Sequence, residues 1–419
     1  MKILLIIIAI FTSCMGHAQN RLYFEEDFSV KLDQLINDLS SNNFSLWRSS
    51  FAAAGSVERD MVSGGLNSTI KFGVNINKYA KGTSVDDLLD VIDHNVLIGD
   101  KAFKIQTASK IYDHSFPTVV GHFGFSGDVT EGNAKYFAIN FHKDFPNYNL
   151  LLIQTMASAK FSKRNCHYSL GGIDEAYSII SLINKYTEAY SDLNKSLYFI
   201  GGSSSSAGIY HAASYINKNT DIKIKGLFLQ SGFNNMNDVL NVLNSVNLKR
   251  KERKIMGLRK VKLKEKFLTK VLLGKRLKAF HTEANCGDKF TLVDDKVSYY
   301  SLVKQSFKSL KVELEEIYEL LYPGSNKSFD SVADYYKSIS LDKHISEMNF
   351  NMFWLHSKDD PMSDSVRAQA AQRKLKRNIH FSGIMLKNGG HSAYKEVYGE
   401  NYLNKLINNF LKFNDELVP

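Results

Sequence analysis

The 419-residue chain is short of the residues that mark several protein classes. Three cysteines are too few for a disulfide-dense scaffold, and none stands in a metal-ligand spacing. Five prolines and no low-complexity tract leave nothing that reads as a linker between domains. No pattern recurs at solenoid periods. No apolar run reaches the roughly 18 residues that a membrane-spanning helix needs. A serine-rich turn at residues 203–206 lacks the Lys-Ser/Thr ending of a phosphate-binding loop, so no cofactor is implied.

What is present argues for a sizeable core. Hydrophobic residues make up 44% and aromatic residues 12%, enough for one large domain with insertions or for two domains. The first residues, MKILLIIIAIFTSCMGHAQ, read as a leader. Lys2 precedes an apolar run from Ile3 to Phe11, and Gly16-His17-Ala18 offers small residues for cleavage before Gln19. Residues 1–18 are therefore expected to be a signal peptide, and the protein to be exported to the periplasm or the extracellular space. Phe11-Thr12-Ser13-Cys14 gives an alternative, a loose lipoprotein box that would anchor the protein through a lipidated Cys14. Either way Cys166 and Cys286 remain, and their pairing stays open.

The net charge of +10 is concentrated. Residues 249–278, from Lys249 to Lys278, hold fourteen Lys or Arg against two Glu. Apolar residues such as Ile255, Leu258, Val261 and Leu268 are interleaved, as in a basic amphipathic helix. A solvated helical face explains this. Attraction to an anionic membrane surface is the sharper alternative. Nucleic acid is not expected as a partner, because no recognition motif accompanies the charge.

Helical periodicity is expected near 28–39 and again over 85–92. Short strands follow at 95–98, 102–106 and 118–120, then a helix from Asn133, a buried strand at 149–154 and a helix over 172–186. Strands are expected at 197–200, 224–230, 351–356 and 380–386, with a last helix at 400–413. Alternating strands and helices imply an α/β fold with a mostly parallel, doubly wound sheet. The long helical stretch before residue 351 reads as a cap inserted over the carboxyl edge of that sheet. The expected division is a signal peptide (1–18), an N-terminal extension (19–105), a first core part (106–230), a basic helical cap (231–345) and a second core part (346–419).

Three loops then follow three strands in the chain order Ser, Asp, His. The first is in YFIGGSSSSAGIYHAASY, the second holds Asp360 before Pro361, and the third holds His391 after Gly389-Gly390. A serine hydroxyl becomes a nucleophile when an imidazole takes its proton and a carboxylate orients that imidazole. Asp359 is an alternative acid. The serine has three registers. Ser206 has Gly208 two residues on, and Ala207 would then supply an oxyanion N–H. Ser204 has Gly202 two residues before it. Ser203 lies tightest to the strand, directly after Gly201-Gly202. The glycine requirement of such a turn favours Ser206, with Ser204 as the alternative nucleophile.

The segment SFDSVADYYKSISLDKHISEMNFNMFWLHSKDDPM resembles the YheT-like branch of the α/β-hydrolase superfamily, which is related to lipid esterases. Phe329, Asp334, Tyr335, Tyr336, Ser340 and Asp359-Asp360-Pro361 fall in register, as does Gly389-Gly390-His391. The resemblance covers about residues 100–415. It implies an α/β-hydrolase fold with Asp360 and His391 in a triad, and Phe125 as a backbone oxyanion donor in the turn Phe123-Gly124-Phe125-Ser126-Gly127. His122 precedes that turn and is expected to be structural. The family's Asn-x-Arg-Gly turn is replaced by Gln154-Thr155-Met156-Ala157. The expected activity is that of a serine esterase acting on a small-molecule ester or a lipid. The alternatives are an acyltransferase with the same residues, a non-catalytic binding protein with a degenerate elbow, and a surface protein whose basic cap docks on membranes.

Overall fold

The structure is a computed structural model. It describes residues 82–124, 128–245, 299–358, 360, 365–375, 377–386, 390–392 and 402–416. The chain divides into two units, one of residues 60–394 and one of residues 1–59 with 395–419. In the second of these the described part is one helix, Tyr402–Glu416, close to the span expected for the last helix. The helix expected near 28–39 and the basic segment 249–278 lie outside the described residues.

The described residues of the 60–394 unit are built on an eight-stranded sheet. Its strands are β1 (Asp90–Ile98), β2 (Lys101–Lys110), β3 (Thr118–Phe123), β4 (Asn149–Ile153), β5 (Ser196–Gly202), β6 (Lys223–Gln230), β7 (Asn351–Ser357) and β8 (Phe381–Leu386). Their spatial order is β1-β2-β4-β3-β5-β6-β7-β8. β2 runs antiparallel to both its neighbours, and every pair from β4 to β8 is parallel. This is the α/β-hydrolase fold.

The central strands explain the order. β3 and β4 are buried at every residue, as strands covered on both faces must be. Successive side chains alternate between two cores. Val120, Leu151, Phe199 and Leu227 join one core with Ile179 and Ile183 of α3 (Ile173–Ala189) and Ile209 and Ala213 of α4 (Ser206–Asn219). The intervening aromatics pair on the opposite face, Tyr148 with Tyr198 and Phe228 with Phe353. There α1 (Gly132–Asp144) contributes Phe137, which packs edge-on against Phe123 at the end of β3. The short helix α2 (Ala159–Asn165) follows β4.

Between β6 and β7 the described helices are α5 (Met236–Ser245), α6 (Tyr299–Ser309), α7 (Lys311–Leu321), α8 (Val332–Ser338) and α9 (Leu341–His344), and α10 (Ser365–Leu375) follows β7. No described helix is long and apolar enough to cross a membrane.

Two expectations need correction. Residues 85–92 are not a helix: Leu89 N–H closes one turn on Val85 O, and β1 starts at Asp90. Val85 and Leu89 are buried four residues apart while Leu88 and Ile92 are exposed, and this spacing at the turn and the first strand residues imitates a helical period. The same strand and the start of β2 fall inside the expected N-terminal extension, so the sheet begins earlier than residue 106. Cys166 is disulfide-bonded, and its partner lies outside the described residues.

Candidate active site

β5 runs two residues further than its apolar stretch suggests and takes in both glycines, ending at Gly202. The backbone then reverses at Ser203, whose φ of +55° is left-handed, a conformation that costs a non-glycine residue on the order of 1–3 kcal/mol. One 3-10 turn, Ser203–Ser205, leads into α4. A sharp, strained strand-to-helix turn is what lifts a nucleophile out of the sheet edge.

The three candidate loops meet there. His391 Nε2 lies 2.7 Å from Ser203 Oγ. His391 Nδ1 lies 3.1 and 3.0 Å from the two carboxylate oxygens of Asp360. Asp360 is buried, three residues beyond β7, with its N–H bonded to Ser357 O at 3.3 Å. A carboxylate only accepts hydrogen bonds, so Nδ1 of His391 carries the proton and Nε2 presents its lone pair to the Ser203 hydroxyl.

Asp360 and His391 are thus brought together, but the serine beside them is Ser203, not Ser206 or Ser204. Ser206 sits in ordinary right-handed helix, at φ −58° and ψ −41°. Its buried hydroxyl lies 2.9 Å from Ser203 O and accepts from Phe233 N at 2.8 Å. The Ser204 side chain is buried, and its hydroxyl has no partner among the described residues. The register follows from sterics. What the turn requires is small residues two before and two after the nucleophile, and Gly201 and Ser205 fill those places around Ser203. Ala207 is correspondingly too far along the helix to donate to an oxyanion, and the N–H following the serine is that of Ser204. Phe125 and Asp359 lie outside the described residues.

Two glycines bring other loops against the elbow. A Cβ on Gly124 would fall 2.7 Å from both Ser203 Cβ and Ser204 N, so the turn after β3 crosses directly over the elbow. A Cβ on Gly171, at φ +63°, would fall 1.8 Å from Ser204 O. The Gly171 loop is backed by the residues that carry the family resemblance. Tyr335 is buried in α8, and its phenol oxygen accepts from Ile173 N at 2.8 Å, at the start of α3. Burial holds the Tyr335 hydroxyl well above its usual range, so it stays protonated. Phe329 and Tyr336 are buried beside it. These residues support the elbow and do not reach the reacting atoms.

His122 is buried. Its Nδ1–H donates to Ile153 O at 3.0 Å, and its Nε2 lies 3.0 Å from Glu175 Oε1. Glu175 Oε1 accepts from Thr155 Oγ at 2.5 Å and from Met156 N at 2.9 Å. A buried acidic side chain therefore organises the turn at 154–157.

Two residues near His391 escaped the sequence reading. Phe233, after β6, lays its ring parallel to the His391 imidazole at 5.6 Å between centroids. His356, in β7, places Nε2 3.7 Å from Asp360 Oδ2. Burial, opposed by the charge of Asp360, lowers the His356 pKa to about 4, so it is neutral at pH 7. No group of three or more His, Cys, Asp or Glu among the described residues could hold a metal ion.

No family model matches the chain, and no curated protein matches it. Solved structures do. An esterase of Pyrococcus furiosus is 13% identical over 79% of this chain and 95% of its own, with a TM-score of 0.47. An acylaminoacyl peptidase of Pyrococcus horikoshii is 10% identical over 82% of this chain, with a TM-score of 0.38. The match spans about two fifths of the acylaminoacyl peptidases' own length, 42% and 41% in two of them. Nothing about substrate passes from these proteins to this chain at such identities.

Proposed function

We propose that this protein is an exported serine hydrolase of carboxylic esters, with Ser203 as nucleophile, His391 as base and Asp360 as its orienting carboxylate. One observation carries the reading: a strained Ser203 whose hydroxyl meets the Nε2 of a His whose Nδ1 is held on a buried Asp. Ser203 Oγ attacks the acyl carbon while its proton passes to His391 Nε2. Asp360 stabilises the imidazolium that forms. The oxyanion is met by the N–H of Ser204, with that of Phe125 as the second donor expected from the sequence. The imidazolium returns its proton to the leaving alcohol, and water releases the acid from the acyl-enzyme by the same steps in reverse.

The register resemblance at Phe329, Asp334, Tyr335 and Tyr336 supports a place in the YheT-like branch, and an apolar acyl group is the matching substrate class. The leader supports export, with lipidation at Cys14 as its alternative. A disulfide at Cys166 suits an oxidising compartment. The basic residues 249–278 would add attraction to an anionic membrane surface.

Reaction with a fluorophosphonate, followed by peptide mapping, tests the chemistry. The adduct is expected on Ser203 and is lost in Ser203→Ala and in His391→Ala. A folded protein that takes no label would refute the hydrolase reading and favour a binding protein on the same fold.

A further inference from the structure

The nucleophile, base and acid leave a second buried serine of the elbow unexplained. Ser206 is 1% exposed, and its one hydroxyl touches three backbone groups. It accepts from Phe233 N at 2.8 Å and lies 2.9 Å from Ser203 O and 3.2 Å from Phe233 O. A hydroxyl carries one proton, and the shorter contact directs it to the carbonyl of Ser203. Ser206 is thus tied at once to the nucleophile's own residue and to the loop after β6.

That loop has nowhere else to go. Ser231 is left-handed at φ +51°, and its N–H is bonded to Leu355 O at 2.7 Å. A Cβ on Gly232 would fall 2.9 Å from Ser206 Cβ and 3.4 Å from Trp354 Nε1. Residues 231–233 are wedged between the elbow and β7. The ring that emerges from the wedge, Phe233, lies within 16° of the His391 plane.

Resting on the reading of Ser203 and His391 given above, we propose that Ser206 and Phe233 form a positioning clamp. Ser206 fixes the Phe233 backbone against the elbow, and the Phe233 ring holds the face of His391 so that Nε2 stays aimed at Ser203 Oγ. Neither residue touches the reacting atoms. The serine that glycine spacing singles out as nucleophile serves the site as a tether.

The test uses the full chain and four variants: Ser206→Ala, Phe233→Leu, Phe233→Tyr and the double variant Ser206→Ala/Phe233→Leu. Two quantities are read. One is the rate of fluorophosphonate labelling at Ser203. The other, which needs no activity, is the low-field proton resonance of His391 Nδ1–H on Asp360. Ser206→Ala leaves the Phe233 N–H buried without its acceptor. A slowing of labelling by roughly 3–10-fold is expected, with a shifted or broadened Nδ1–H signal. Phe233→Leu should reproduce both effects and Phe233→Tyr should retain the wild-type values. The double variant should be no slower than the worse single one, because the two residues act as one unit. Melting curves establish that each variant is folded, and Phe233→Leu tests the clamp should Ser206→Ala fail to fold. Wild-type labelling and an unchanged Nδ1–H signal in Ser206→Ala and Phe233→Leu would overturn the clamp, as would strictly multiplicative losses. An adduct mapping to Ser206 would overturn it too. Absence of label on the wild type would instead sink the hydrolase reading, and the Nδ1–H signal would then decide the clamp alone.

Discussion

His211 makes the stability of this protein sensitive to acid. It lies in α4, 1% exposed, against Tyr322 and Ile339 of the segment between β6 and β7. Its Nε2–H donates to Ile339 O at 2.9 Å, which leaves Nδ1 as the acceptor for the Tyr322 hydroxyl. Burial, and then the neighbouring His344, lowers its pKa from 6.5 to about 3. Above pH 6.5 the imidazole is neutral in both the folded and the unfolded chain. As the pH falls below that, the unfolded chain binds a proton that the folded protein refuses. The stability that the neutral imidazole provides is therefore present above pH 6.5 and is lost as the pH falls towards 3. Each pH unit inside the window is worth about 1.4 kcal/mol. The loss from this one group reaches about 3 kcal/mol at pH 4.5, a sizeable part of the roughly 5–15 kcal/mol that stabilises a typical protein.

Urea unfolding between pH 7.5 and 4.5, followed by the fluorescence of the buried Trp354, measures it. His211→Gln supplies the comparison, because its amide can donate to Ile339 O and accept from Tyr322 without titrating. The variant should lose less stability than the wild type over that range, by about 3 kcal/mol. His356 titrates in the same direction with a pKa of about 4, and it remains in both proteins, so it cancels in the difference. Parallel loss in the two proteins would refute the assignment of a neutral, buried His211.

Three further outcomes follow from the same geometry. Tyr322→Phe removes the donor to His211 Nδ1 and should cost about 1–3 kcal/mol at pH 7.5; an unchanged unfolding midpoint would contradict the tautomer assigned here. Gly171→Ala sets a Cβ against Ser204 O in a left-handed position, so both the midpoint and the rate of labelling at Ser203 should drop, and wild-type values for both would disprove the close approach. Reductant should lower the midpoint by breaking the Cys166 disulfide, on the order of 2–4 kcal/mol, and identical curves with and without reductant would count against that bond.

Much of this was legible in the sequence, and the exceptions share a cause. β4 is a continuous apolar run, buried at every residue, and such a run needs no periodicity to be read. β1 sits at the sheet edge; its second half, 95–98, reads as a strand, but its first three residues fall inside the helix expected over 85–92. Asp360 and His391 could be found because each closes a strand, so local sequence alone sets their place. Phe233 and His356 could not, since stacking on a ring or lying beside a carboxylate leaves no mark in spacing.

The elbow serine was the hardest residue, because four serines in a row are locally equivalent and glycine is a poor arbiter among them. Glycine marks an elbow only because the turn cannot take a large Cβ substituent next to the crossing chain. Where Ser205 meets that need, the second glycine is dispensable, and Gly208 reports something else: a Cβ there would fall 3.3 Å from the buried Glu175 carboxylate. The decisive quantity is the length of β5, which carries both glycines into the sheet and leaves Ser203 as the first residue beyond it. Strand ends are set by the partners. Gly202 pairs with Phe123 on one side and Gln230 on the other, so the register of β3 and β6, far away in sequence, selects the serine.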